Sequence, residues 1–147
     1  MMIEVLIKRL SKNVELPKYE TIDSSGMDLA ADIEKKVEIK PGQTLIIPTG
    51  ISLSIPENFE IQIRPRSGLA AKSNITVLNT PGTIDADYRG EIKVILINLG
   101  NKTFTVEKGA RIAQMVLCPI IKMNLKEVEN LDDTSRGSGG FGSTGIK

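Results

Sequence analysis

The sequence predicts an all-β fold, a compact sandwich or distorted barrel carrying a glycine-rich tail, and three observations carry that reading. Proline and glycine recur at short intervals: Pro41-Gly42, Pro48, Gly50, Pro56, Pro65, Gly68, Pro81-Gly82, Gly90, Gly100 and Gly109. Long helices do not fit between them, because both residues interrupt the helical hydrogen-bond ladder. The pieces between these breaks are rich in β-branched residues and often alternate apolar with polar, the period of a half-buried strand. After Asp133 the composition shifts to glycine and serine. That shift divides the chain into a β-rich domain, residues 1–133, and a flexible C-terminal arm, residues 134–147, with too little side chain to offset its ordering entropy.

Taken in order, Val37-Glu-Ile-Lys40, Ile51-Ser-Leu-Ser-Ile55, Glu60-Ile-Gln-Ile-Arg64 and Thr103-Phe-Thr-Val106 read as half-buried antiparallel strands. Ile75-Thr-Val-Leu78 and Ile92-Lys-Val94 flank a turn-rich stretch and read as a β-hairpin. The run Ile92–Ile97 is apolar on both faces after Lys93, so both faces need a cover, one of them another subunit. The chain has three Phe, two Tyr and no Trp, which leaves Ile, Val and Leu to supply the core. Only residues 68–73 and 126–131 can make a helical turn or two.

At 147 residues the chain fits one domain plus a tail. Nineteen Lys and Arg stand against eighteen Asp and Glu, a formal charge of +1, so no bulk field attracts nucleic acid or an anionic membrane. Any phosphate binding is therefore local. Cys118 is the single cysteine and lies in an apolar run, which excludes an intrachain disulfide and a zinc cluster and reads as an inert core thiol. The chain has no histidine. Ser-His and Cys-His triads and the HExxH zinc motif go with it, and general-base work falls to a carboxylate. Charge interrupts the apolar residues of Met1–Lys8 too soon for a signal peptide, and no run approaches membrane-spanning length. A cytoplasmic location is expected.

The strongest candidate for chemistry is the stretch from Asn79 to Glu91, which holds Asp85, Asp87 and Tyr88. At most one of the two acids is expected to face a given pocket; the plain alternative is that both only stabilise turns. Tyr88 favours a site, since a tyrosine in so small a loop can stack on a planar ligand or wall a pocket. A second candidate, Arg64–Lys72, follows a strand; a serine cap and two arginines would make an anion site there, or an ordinary capped turn. Arg111 and Gln114 are polar groups at the start of an apolar strand, and Asp28 lies beside a glycine turn at Gly26. In the tail, Phe141 has no local partner. Arg136, the glycines and that ring would make a lid for a phosphorylated compound with a flat ring. The tail also mimics two nucleotide motifs. Gly137–Gly142 matches GxGxxG without room for a flanking strand and helix, and the Walker A spacing fails because Ser143 stands where lysine is required.

Five segments together resemble, in order, the five motifs of the trimeric dUTP pyrophosphatases. They are Ser25–Leu29, Pro65–Leu69, Gly82–Gly90, Gly109–Gln114 and Arg136–Gly145, nearly the whole chain. Each is weak alone, but the order and spacing of all five make coincidence improbable. The departures are slight: Ser25 stands where alanine is common, and Arg64 precedes the second motif. The resemblance implies a distorted jelly-roll or β-clip-like barrel with at most one short helix, assembled as a homotrimer with sites shared between subunits. It implies water attack on the α-phosphorus of dUTP, giving dUMP and pyrophosphate, with Mg2+ on the triphosphate. That reaction limits uracil incorporation into DNA and supplies dUMP for thymidylate synthesis.

By the same resemblance Asp85 activates the water. Asn79, Thr83 and Ile84 read uracil, Tyr88 packs on the deoxyribose and excludes a 2′-hydroxyl, and Phe141 stacks over the base. Arg66, Ser67, Gly68, Gln114, Arg136, Gly140, Gly142 and Ser143 hold the phosphates. No direct protein ligand to magnesium is expected; Asp28 is placed near the magnesium waters, and Arg111 has a structural job. The rival readings are a dCTP deaminase on the same fold, which needs a carboxylate near the base C4 and usually a different C-terminal segment, and a non-catalytic regulator or structural jelly roll. The Phe141 tail argues against the first. Asp85, Tyr88 and the polar motifs argue against the others.

Overall fold

The computed structural model describes residues 2–142. Among these, ten strands and one short helix follow in the order β1 (Leu6–Arg9), β2 (Met27–Ala30), β3 (Val37–Ile39), β4 (Thr44–Ser54), β5 (Phe59–Arg64), α1 (Ser67–Ser73), β6 (Ile75–Val77), β7 (Gly82–Ile84), β8 (Glu91–Asn98), β9 (Phe104–Val106) and β10 (Arg111–Pro119). Two four-stranded sheets, β1-β4-β8-β6 and β2-β10-β5-β7, face a common core, and β3-β9 forms a small third sheet. All pairings are antiparallel. The arrangement is jelly-roll-like, as the sequence reading expects.

Strand alternation builds the core. Along β8, Ile92, Val94 and Leu96 are buried, and along β5 Ile61 and Ile63 are buried while Glu60, Gln62 and Arg64 take the other face. With Leu29, Ile47, Ile51, Val106 and Ile112 they make an aliphatic interior, each residue of this size contributing about 1.5–3 kcal/mol on burial. Phe59 and Phe104 only border it. The buried polar groups among the described residues are satisfied: Asn98 donates to the carbonyls of Ile39 and Lys102, both at 2.8 Å, and accepts from the Gly100 N–H, tying β8 to the end of the small sheet where β3 finishes and β9 begins. Gly50 carries a break in the β4–β8 register. Its φ is +68°, and a Cβ there would lie 2.5 Å from Asp32 Oδ2.

Three expectations are corrected. Residues 126–131 form no helix; they are exposed, and so short a helix has no stability without a packed face. Residues 75–94 are more than a hairpin. β6 and β8 do pair, but the connection leaves their sheet, and β7 joins β5 in the other one. Cys118 is half-buried rather than a core residue, because it falls on the outward side of β10 beside Arg64. Among the described residues no strand or helix follows Pro119, and no helix is long and apolar enough to cross a membrane.

Candidate active site

The crossing of β7 between sheets assembles the first group of predicted residues. Gly82 is buried against β5, where a Cβ would lie 3.3 Å from Ile63 Cβ and 3.2 Å from Asn79 Nδ2, so the Asn79 amide rests on bare backbone. Beyond Ile84 the chain turns, closed by the Tyr88 N–H donating to the Asp85 carbonyl at 3.1 Å. Arg89 Nη1 locks the turn by donating to the carbonyls of Ala86 and Tyr88. Tyr88 Oη donates to the Glu91 carbonyl at 3.0 Å.

Thr83, Ile84, Asp85 and Tyr88 line one cavity of about 380 Å3 together with Ile46, Glu91, Lys93 and Ile95. Asp87 does not line it. Residues two apart in an extended strand would share a face; the turn is what separates the two acids. Ile46, Glu91, Lys93 and Ile95 escaped the motif reading because they belong to strands. Their signal is alternation: Ile46 pairs with Ile95 across β4 and β8, on the side away from the core.

A second group gathers around β10, which lies between β2 and β5 and places Gln114 level with both Asp28 and Arg64. Gln114 Nε2 donates to the Pro65 carbonyl at 3.0 Å, holding the loop that leads into α1. Gly26 makes room for it, since a Cβ there would fall 2.7 Å from Gln114 Oε1. Arg66 Nε lies 2.9 Å from Asp28 Oδ1, and its Nη1 donates to the Arg111 carbonyl. Arg111 Nη1 approaches Asp28 Oδ2 at 3.2 Å and Glu20 Oε1 at 3.6 Å. Asp28 is thus held between two guanidinium groups. With Leu16, Lys18 and Glu20 of the N-terminal segment, Asp28 and Arg111 also line a cavity of about 300 Å3.

The serine cap expected for α1 is not there. Arg66, in extended backbone, is the N-cap residue and makes no side-chain cap bond; Ser67 is the first helical residue and is exposed, as is Gly68. Arg64 lies on strand β5 with its guanidinium on Gln62 Oε1, so only Arg66 of the two arginines joins the loop cluster.

The third group lies on the arm. Phe141 is fully exposed, and Arg136 Nε donates to the Gly139 carbonyl at 2.9 Å. Gly140 and Gly142 flank the ring, and Ser143 lies outside the described residues. Neither the loop residues Arg66, Ser67, Gly68 and Gln114 nor Phe141 line the cavity that holds Asp85 and Tyr88. The lining of that cavity therefore takes in only one of the three groups of predicted site residues.

Among the described residues no group of three or more His, Cys, Asp or Glu side chains is placed to hold a metal ion.

Comparisons with known proteins show the family. The dUTPase family model matches residues 12–145. The deoxyuridine 5'-triphosphate nucleotidohydrolase of Rickettsia bellii (strain OSU 85-389) is 60% identical over 144 residues, 97% of this chain and 96% of its own length. That of Ehrlichia canis (strain Jake) is 59% identical over 143 residues, covering 96% and 94%. The fold is similar to that of the Staphylococcus bacteriophage 80alpha dUTPase solved with dUPNHPP, at a TM-score of 0.84 and 29% identity over 99% of this chain and 100% of that one. A mutant of the phage enzyme with dUpNHpp gives a TM-score of 0.88 at 27% identity, with the same coverage. The match runs from the N-terminal segment into the glycine-rich arm and takes in all three groups of predicted site residues, and by it this chain belongs to the dUTPase family.

Proposed function

We propose that Asp85 prepares the attacking water in the reaction of this chain, the hydrolysis of dUTP to dUMP and pyrophosphate. The observation that carries the assignment is the cavity of about 380 Å3 in which Asp85 and Tyr88 stand together while Asp87 does not. In a chain without histidine an exposed carboxylate is the available base, and in-line displacement at phosphorus needs positioning and charge neutralisation more than covalent help. Water gives a proton toward Asp85 as its oxygen bonds to the α-phosphorus, and pyrophosphate leaves with the bond to the bridging oxygen. Asn79, Thr83 and Ile84 read the uracil edge. Tyr88 packs on the deoxyribose and leaves no room for a 2′-hydroxyl.

Arg66, Ser67 and Gly68 hold the phosphates, with Gln114 both supporting that loop through Pro65 and completing the contacts. Magnesium bound to the triphosphate supplies charge neutralisation and fixes the phosphate chain. Asp28, whose two oxygens already face Arg66 and Arg111, suits a hydrogen bond from a water on that ion better than direct ligation. Arg136, Gly140, Phe141, Gly142 and Ser143 belong to residues 134–147, an arm that closes over the site with Phe141 on the base.

The assembly is a homotrimer in which the three parts come from neighbouring subunits. Two features support it: the cavity that holds Asp85 has none of the loop residues Arg66, Ser67, Gly68 and Gln114 in its lining, and large apolar residues stand uncovered. Ile46 on the outward side of β4 is 59% exposed, and Ile121, Met123, Leu125 and Leu131 lie bare along the segment after β10. The protein works in the cytoplasm on a small nucleotide, with neither nucleic acid nor membrane as partner.

The test is pyrophosphate release from dUTP, UTP, dTTP and dCTP by the wild type and Asp85→Asn. Turnover confined to dUTP and lost in Asp85→Asn is expected. Ammonia release from dCTP, or an unimpaired Asp85→Asn, refutes the assignment.

A further inference from the structure

We propose that Gly90 is a positioning residue for sugar discrimination: its bare Cα is the seat that holds the Tyr88 ring in place. The inference rests on the reading of Tyr88 given above and adds the element that sets the ring's position. A Cβ built on Gly90 would lie 2.4 Å from Tyr88 Oη, 2.5 Å from Cζ and 3.0 Å from Cε2. The ring tip therefore rests directly on the Gly90 backbone, a place no side chain can share. One residue further on, the Glu91 carbonyl accepts the Tyr88 hydroxyl at 3.0 Å. Glu91 is itself anchored, its Oε1 accepting from the Gly50 N–H at 3.0 Å. Ring and hydroxyl are thus held by one short piece of backbone whose far side is tied to the break in β4.

Gly90 is not among the glycines at positive φ, so alanine meets no backbone penalty there. The clash falls on the end of a single side chain that is 44% exposed and free to swing aside. Gly90→Ala should leave the fold intact and turn Tyr88 off its seat, which removes the wall against a 2′-hydroxyl. Glycine at this position serves the neighbouring ring rather than a turn.

The ratio of kcat/KM for dUTP to that for UTP reads the effect. Gly90→Ala is expected to lower it about tenfold, the scale on which one misplaced apolar contact alters discrimination. The melting transition and oligomer mass should match the wild type. In a Tyr88→Ala background, adding Gly90→Ala should change the ratio no further, because the ring it acts through is gone. The chain has only two tyrosines, Tyr19 and Tyr88, so 13C-tyrosine labelling gives an independent signal. Gly90→Ala should shift the Tyr88 ring resonances and leave those of Tyr19.

An unchanged ratio with an unshifted Tyr88 resonance overturns the inference, as does an equal loss with and without Tyr88. If Gly90→Ala fails to fold, the double variant, which lacks the clash, must fold; its failure also overturns the inference. A wild type that hydrolyses UTP as fast as dUTP refutes the sugar role of Tyr88 instead, and the resonance shift still reports on the seat.

Discussion

Arg66 and Asp28 form an ion pair, Nε to Oδ1 at 2.9 Å, that ties the loop after β5 to strand β2. Their side chains are only 30% and 19% exposed, so the pair is shielded more than a surface bridge and its geometry is set by packing. Arg111 completes it from β10. Three segments far apart in sequence are thereby held at one place.

Asp28→Ala leaves the Arg66 guanidinium without its partner and frees the loop that carries Ser67 and Gly68. A fall in kcat/KM for dUTP of about tenfold to a hundredfold is expected, the cost of misplacing phosphate contacts by a fraction of an ångström or more. Arg111→Ala, which spares the 2.9 Å contact, should lose less. Steady-state kinetics on the two variants checks the order.

Gln114→Glu puts a carboxylate opposite the Pro65 carbonyl, replacing a donor with an acceptor at a half-buried site. Destabilisation of about 1–3 kcal/mol follows from two acceptors facing each other without a proton between them. Urea unfolding measures it.

Gly50→Ala forces a side chain into positive φ and drives its Cβ to 2.5 Å from Asp32 Oδ2 and Val14 Cγ2. Strain and overlap together should cost about 2–4 kcal/mol, and the Gly50 N–H that serves Glu91 would move with them. A lowered melting temperature, with weaker dUTP selectivity where the variant still folds, is the expected result.

Ile46→Glu charges the apolar centre of the outward face of β4 and β8 without touching the core beneath. The proposed trimer should dissociate, and activity should fall both for that reason and because Ile46 lines the Asp85 cavity. Light scattering and activity measured on the same sample test both halves. A fully active monomer contradicts the shared site.

Removal of residues 134–147 should leave the protein folded, since every strand among the described residues ends by Pro119, and should keep weak nucleotide binding. Turnover should drop by about a hundredfold or more when the arm can no longer exclude water and cover the base. Calorimetric binding of a non-hydrolysable dUTP analogue beside turnover separates the two effects.

Local pattern made much of this protein legible in the sequence. Glycine and proline spacing excluded long helices, β-branched alternation located β3, β5 and β9 and a continuous apolar run located β8, each to within a residue or two, and the absence of histidine left general-base work to a carboxylate. Motif order led to the family. These are properties of neighbouring residues, which short-range sterics and periodicity decide. Tertiary structure decided the rest. That β7 leaves its hairpin for the other sheet, that Asp85 and not Asp87 faces the cavity, and that Gln114 supports Pro65 all depend on pairings between segments tens of residues apart. The same holds for Ile46 and Ile95, two ordinary strand residues until β4 and β8 pair, and for Gly90, whose purpose is visible only once the Tyr88 ring lies across it. Such contacts are chosen by the packing of the whole core, and no window of sequence contains that packing.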